Sequence, residues 1–188
     1  DVIETNTFGA NRVKLAAFGL ADRVHAINTQ GARIARHAAR EQLYVAGAIG
    51  PLGIRVEPWG KTGVDEAEAM FRDQAQALLE GGVDLFVLET FRDLNEIGAA
   101  IKAVRGLCDL PIVAQMTTEE DGSSLDGAPA EQFAPQLIAL GASVADTIRS
   151  EIDRSALFVV LVSETSVTSE YVAFELRYAL GRRLASDG

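Results

Sequence analysis

Glu89 is the residue of this sequence best placed to do chemistry. It follows Phe86-Val87-Leu88 directly, at the end of an apolar run, where an unpaired carboxylate is costly. Two readings of it are open. It caps a following helix or pairs with a nearby Arg, as such residues often do. Or it anchors a cationic group, such as the ammonium of an amino acid. Thr5, Asn6 and Thr7 close an earlier apolar run, Gly50 and Pro51 a second, and Gln115, Met116 and Thr117 a later one. Asn6 also suits an ordinary strand-to-helix turn. Cys108 is the single cysteine. One thiol makes no internal disulfide and no site of several thiolates. In Gly106-Leu-Cys-Asp109 it reads as a small, half-buried residue between a helix and a strand. His25 and His37 share one helical pattern but not the i, i+4 spacing that would let them share a metal, so both read as solvated or packing residues.

Alternating elements must position these groups. Apolar runs rich in branched residues recur at 2–5, 43–49, 85–90, 112–116 and 157–163. Each is nearly continuous in its hydrophobicity, the pattern of strands covered on both faces. Helical patterns lie between them at 21–40, 65–80, 94–107, 130–140 and 169–184. The second opens on acidic residues and stops at Gly81-Gly82, as a helix should. Strand then helix, repeated, predicts an α/β fold of parallel strands with right-handed crossovers, whose site gathers at the strand ends. Five such strands are too few to close an eight-stranded barrel. An open parallel sheet with helices on both faces is therefore expected, or a homo-oligomer that completes the missing wall. The loop from Gly50 to Gly63 carries Trp59, either to close over a ligand or to anchor packing. Arg33, Arg36 and Arg40 form a basic stripe that reads as a solvated helix face pairing with the acidic excess.

Composition narrows the function classes. With 48% apolar and 23% charged residues, the 188-residue chain can bury a core of ordinary domain size. No run approaches the ~20 apolar residues that span a bilayer, so no membrane partner is expected. A net charge of -10 is the wrong sign for a nucleic-acid binder. The chain opens in a strand pattern without an initiator Met or signal peptide, which reads as a piece of something longer.

Four motifs stand in order. They are Asp1-Val-Ile-Glu-Thr-Asn-Thr-Phe-Gly-Ala-Asn11, Gly47-Ala-Ile-Gly-Pro51, Leu88-Glu-Thr-Phe-Arg-Asp93 and Met116-Thr117. Over residues 1–143 the chain resembles the homocysteine-binding domain of homocysteine S-methyltransferases, a module shared with cobalamin-dependent methionine synthase. The resemblance implies a partial TIM-barrel segment, homocysteine as the small-molecule partner and a role in methionine biosynthesis. Glu89 then matches the acid that binds the homocysteine amino group, and Thr5, Asn6 and Thr7 match the loop beside the substrate. The family's zinc, held by cysteine thiolates, would lower the thiol pKa so that a thiolate attacks an activated methyl group. Here Ala145-Asp-Thr-Ile-Arg stands where a Gly-x-Asn-Cys ligand motif belongs, and the later Cys-Cys pair is missing. Zinc is thus expected for the family while its cysteine ligands are absent from this chain. Cytoplasmic residence follows from the lack of a signal and the family's reduced thiols.

Residues 144–188 change character. Ala156-Leu-Phe-Val-Val-Leu-Val-Ser163 and the following Tyr171-Val-Ala-Phe-Glu-Leu176 resemble the central part of a TIR domain over 146–185, a flavodoxin-like βα unit. The resemblance implies NAD as a ligand and Glu175 as the catalytic residue, with Tyr171 at the aromatic position. Read from spacing alone, Tyr171, Phe174 and Tyr178 form a packing face and Glu175 a solvated one. Three functions compete: a homocysteine S-methyltransferase-type domain lacking its zinc cysteines, a TIR-type NAD-hydrolysing or signalling module, and a non-catalytic folded chimera.

Overall fold

The computed structural model describes residues 1–40, 42–119 and 122–142, all within one compact unit, Asp1–Val144. The strand and helix expected at 157–163 and 169–184, with Glu175, lie outside the described residues. Within them, four strands follow the apolar runs: β1 Val2–Glu4, β2 Tyr44–Ile49, β3 Leu85–Phe91 and β4 Ile112–Met116. The helices are α1 Arg12–Ala16, α2 Val24–Ala39, α3 Val64–Gly81, α4 Leu94–Arg105 and α5 Ala130–Ala139. A 3-10 turn, Ala21–Arg23, splits off the start of the helix expected from residue 21. The short α1 carries too little periodicity to be legible; Asn11 caps it, its Oδ1 accepting from the Lys14 N–H at 3.0 Å.

All strands pair parallel, in the order β1-β2-β3-β4. This order corrects one expectation. Each crossover steps to the next strand in the same direction, and right-handed crossovers then place α2, α3 and α4 on one face. Helices on both faces would need the strand order to reverse. The packing agrees, since α2 lies against α3 and α3 against α4 in a single layer. The described sheet is a wall of a barrel, not a doubly wound sheet.

Alternation along the strands separates the two faces. Val45, Ile49, Phe86, Leu88 and Ile112 point to the helices, where they join Ala32, Phe71, Ala75, Leu78, Ile97 and Ile101 in one apolar cluster. Phe71 and Phe91 stack tilted, with centroids 5.8 Å apart. Gly81 permits the close approach of α2 and α3: a Cβ there would meet the Thr29 carbonyl oxygen at 2.8 Å. The basic stripe is partly pinned, because Arg36 pairs with Asp84 at 2.6 Å and donates to the Gly82 carbonyl. His25 bonds Glu80 at 2.8 Å on the exposed side of α2.

Candidate functional site

The strand register sets Glu4, Ala46, Ala48, Val87 and Glu89 on the face away from the helices. Glu4 pairs with Ala46, and Ala48 with Val87, two residues before Glu89. Ala46 and Ala48, both buried, are the inner-face residues of β2 between the two carboxylates. Glu89 is half-buried, and burial first, then the charge of Glu4, pushes its carboxyl above the usual carboxylate range. Neither of the two ordinary partners foreseen for Glu89 holds it. Asp93 is the cap of α4, accepting from the N–H groups of Asn95 and Glu96. Arg92 pairs with Glu119. Among the described residues Glu89 has no hydrogen-bond donor and no cation.

The backbone immediately after Glu89 is unusual. Thr90 has φ of 64°, and the β3–β4 register shifts between Leu88 and Phe91. A β-branched residue in the left-handed region is uncommon, and a bulge at a strand end re-aims the side chains around it. The bulge returns Phe91 to the apolar cluster while Glu89 keeps the inner face.

Thr5 and Thr7 are buried, and their hydroxyls work on the backbone. They bond each other at 2.6 Å; Thr7 donates to the Ala48 carbonyl at 2.8 Å, and Thr5 Oγ1 accepts from the Ala48 N–H at 3.0 Å. Together they clip the end of β1 to the inner-face stretch of β2. A second set of polar groups braces the same turn from the helix side. Gln74 of α3 and Asn28 of α2 are fully buried. Gln74 Nε2 donates to the Thr7 carbonyl at 2.8 Å and to Asn28 Oδ1 at 3.2 Å, while Asn28 Nδ2 donates to the Ala10 carbonyl at 2.8 Å. Asn6, between the two threonines, is exposed and lines a different space. That is a cavity of about 650 Å³ along β1 and α2, with Ile3, Glu4, Arg23, Ile27 and Ile34. Thr5 and Thr7 are thus brought together, Glu89 joins Glu4 on the inner face, and Asn6 shares its cavity with Glu4 but not with Glu89.

The family model for homocysteine S-methyltransferases matches residues 1–149. The chain belongs to the homocysteine S-methyltransferase family. The methionine synthase of Mycobacterium tuberculosis is 33% identical over 138 residues, 68% of this chain and 12% of that protein. The Mycobacterium leprae methionine synthase is 31% identical over a stretch covering 11% of its length. The chain therefore spans roughly a tenth of these curated relatives. Among solved structures, the metallated form of the Escherichia coli homocysteine methyltransferase superposes with a TM-score of 0.64 at 24% identity, over 74% of this chain and 54% of that one. That likeness supports the fold, a segment of the family's barrel.

The donor set of this chain does not fit the family's thiolate-held zinc. The sequence has one cysteine, and among the described residues no group of three His, Cys, Asp or Glu could hold a metal ion. Cys108 follows α4 and precedes β4, its N–H bonded to the Val104 carbonyl at 3.0 Å. It therefore sits at the amino-terminal ends of the strands, opposite Glu89. Glu4, Gln74, Asp93 and Glu96 were not singled out from sequence. For the last two a signal was present, since Asp93-x-x-Glu96 before an apolar helix is a capping pattern.

Proposed function

We propose that residues 1–143 form the amino-acid-binding wall of a homocysteine S-methyltransferase, with Glu89 receiving the ammonium of homocysteine. The observation that carries this reading is the Glu89 carboxylate itself: half-buried, without a cation, and facing the inner side of a barrel segment at the end of β3. An ammonium supplies the charge that this position lacks, and charge-assisted hydrogen bonds are the strong ones. Glu4 adds negative potential across Ala46 and Ala48. Thr5 and Thr7 hold the β1 turn in register rather than touching the ligand, and Asn6 borders the substrate loop from outside. Methyl transfer to the homocysteine sulfur is the reaction this family membership suggests. The residues of this chain bind and orient the amino-acid end, and no thiolate site within it activates the sulfur.

Calorimetric titration with homocysteine tests the assignment. Glu89→Gln and Glu89→Ala should weaken binding at least about tenfold, close to 1.4 kcal/mol. Equal affinity in either variant would reject it. The pH dependence has a definite sign. Ammonium capture needs the ionised carboxylate, and the carboxyl is raised in the free protein. Affinity should therefore hold at neutral pH and decline as pH falls, from a higher pH than an ordinary Glu would give.

Residues 146–185 carry a separate reading on their sequence pattern alone, a TIR-type segment with Glu175 as the residue that acts on NAD. Nicotinamide release that disappears in Glu175→Ala is its expected outcome, and a rate unchanged by that substitution would reject it.

A further inference from the structure

β1 is an edge strand of the described sheet. Its hydrogen bonds to β2 show which of its backbone groups are used. The Tyr44 N–H donates to the Asp1 carbonyl at 3.1 Å, and the Thr5 N–H donates to the Ala46 carbonyl at 2.9 Å. Backbone groups alternate in direction along a strand, so those of Asp1, Ile3 and Thr5 face β2. Val2 and Glu4 direct their N–H and C=O groups the other way, and both residues are exposed. Among the described residues no strand takes up those groups. An unpaired strand edge is a template for another strand.

The helix beside that edge has a face to match. α2 turns Val24, Asn28, Ala32, Ala35 and Ala39 into the unit. Ile27, Gly31, Ile34 and Ala38 follow the same three-and-four spacing on a neighbouring face. With Ile3 they line the cavity of about 650 Å³ along β1. Ile34 is 61% exposed there. Arg23, just before α2, lines the same cavity, while β1 and its start carry the exposed acids Glu4 and Asp1.

We propose that this edge is where the chain associates with a second copy of itself: two β1 strands pair antiparallel about a two-fold axis at Ile3, and the cavity-lining faces of the two α2 helices meet beside the joined sheet. The surface is its own complement. Val2 and Glu4 stand symmetrically about Ile3, so the axis sets Val2 of each copy opposite Glu4 of the other, and each such pair exchanges both N–H···O bonds. The charges match as well. α2 runs back from the carboxyl end of β1, so Arg23 stands near that end. Antiparallel pairing brings the opposite end of the other strand beside it, where Asp1 lies. The net charge of -10 on each copy opposes association, and physiological salt screens it beyond about 8 Å. A contact built from two three-residue strands and one helix face each is small and belongs with the weak complexes. In dilute solution the copies part, and Ile34 is then an ordinary exposed residue.

Sedimentation equilibrium of the full chain at physiological salt tests the surface. The mass should rise with concentration from the 20.0 kDa of one chain toward twice that value, half-complete at about 10–100 μM. Val2→Pro removes an outward N–H and leaves the bonds between β1 and β2 in place, since Pro is tolerated on a strand edge. Ile34→Asp puts a charge into the apolar face. Each should weaken association at least about tenfold. Association unchanged in either folded variant overturns the proposal. If Val2→Pro fails to fold, hydrogen exchange of the unsubstituted chain replaces it: protection of the Val2 and Glu4 amides should grow with protein concentration. A mass of one chain throughout, with those amides protected at every dilution, also overturns the proposal and gives the edge to another segment of the same chain.

Discussion

Thr7 shows how a residue beside the proposed site can work on the backbone. Its hydroxyl joins Thr5 to the Ala48 carbonyl, and its own carbonyl receives Gln74. Thr7→Val keeps the shape and deletes the hydroxyl, leaving buried polar groups on Thr5 and Ala48 short of a partner. The expected cost is about 1–3 kcal/mol in urea denaturation. A loss below about 0.5 kcal/mol, the range of ordinary surface substitutions, would show that the clip contributes little. Glu89 is the contrasting case. Its neighbours give it no partner, and its carboxyl stays raised. Thr7 is therefore expected to act on stability, and Glu89, in its proposed role, on ligand affinity.

Element by element, β3 is the one whose geometry bears most on the site. Its run is legible as a buried strand because Phe86, Val87 and Leu88 are all apolar. The bulge at its end is not, since Thr90 is a residue that sequence rules would keep out of the left-handed region. Tertiary contacts impose it: Phe91 must return to Phe71 on the helix side while Glu89 faces inward. Thr90 is exposed, so its conformation rather than its contacts dominates the energetics. Thr90→Gly should raise stability by about 1 kcal/mol, read as a higher denaturation midpoint at unchanged slope. A lower midpoint would mean that the Thr side chain itself holds the bulge.

At the scale of the whole unit, the single layer of helices decides where stability resides. Phe71 is fully buried between α3 and β3, whereas Ile34 on α2 is 61% exposed near β1, the edge strand of the described sheet. Phe71→Ala should cost about 3–5 kcal/mol through the cavity it leaves. Ile34→Ser should stay within about 0.5 kcal/mol, as exposed substitutions do. Thermal denaturation of both variants distinguishes this from a core divided differently; comparable losses would place Ile34 in contact with something that covers β1.

Much of this protein is determined locally, and so by sequence alone. Continuous apolar runs make buried parallel strands, periodic ones make helices, and both expectations match the described elements other than α1 to within a few residues. The four ordered motifs identify the family because each occupies a strand end. The lone cysteine settles that no thiolate cluster forms within the chain. What needed the tertiary structure depends on which strands become neighbours. The order β1-β2-β3-β4 sets all the crossover helices on one face, and pairing across that order brings Glu4 toward Glu89 and Leu52 to Glu96. Those residues are 85 and 44 positions apart in the chain. No local pattern encodes such meetings. They arise from closing loops so that one apolar layer is buried, and the charges on the strand ends are carried along with it.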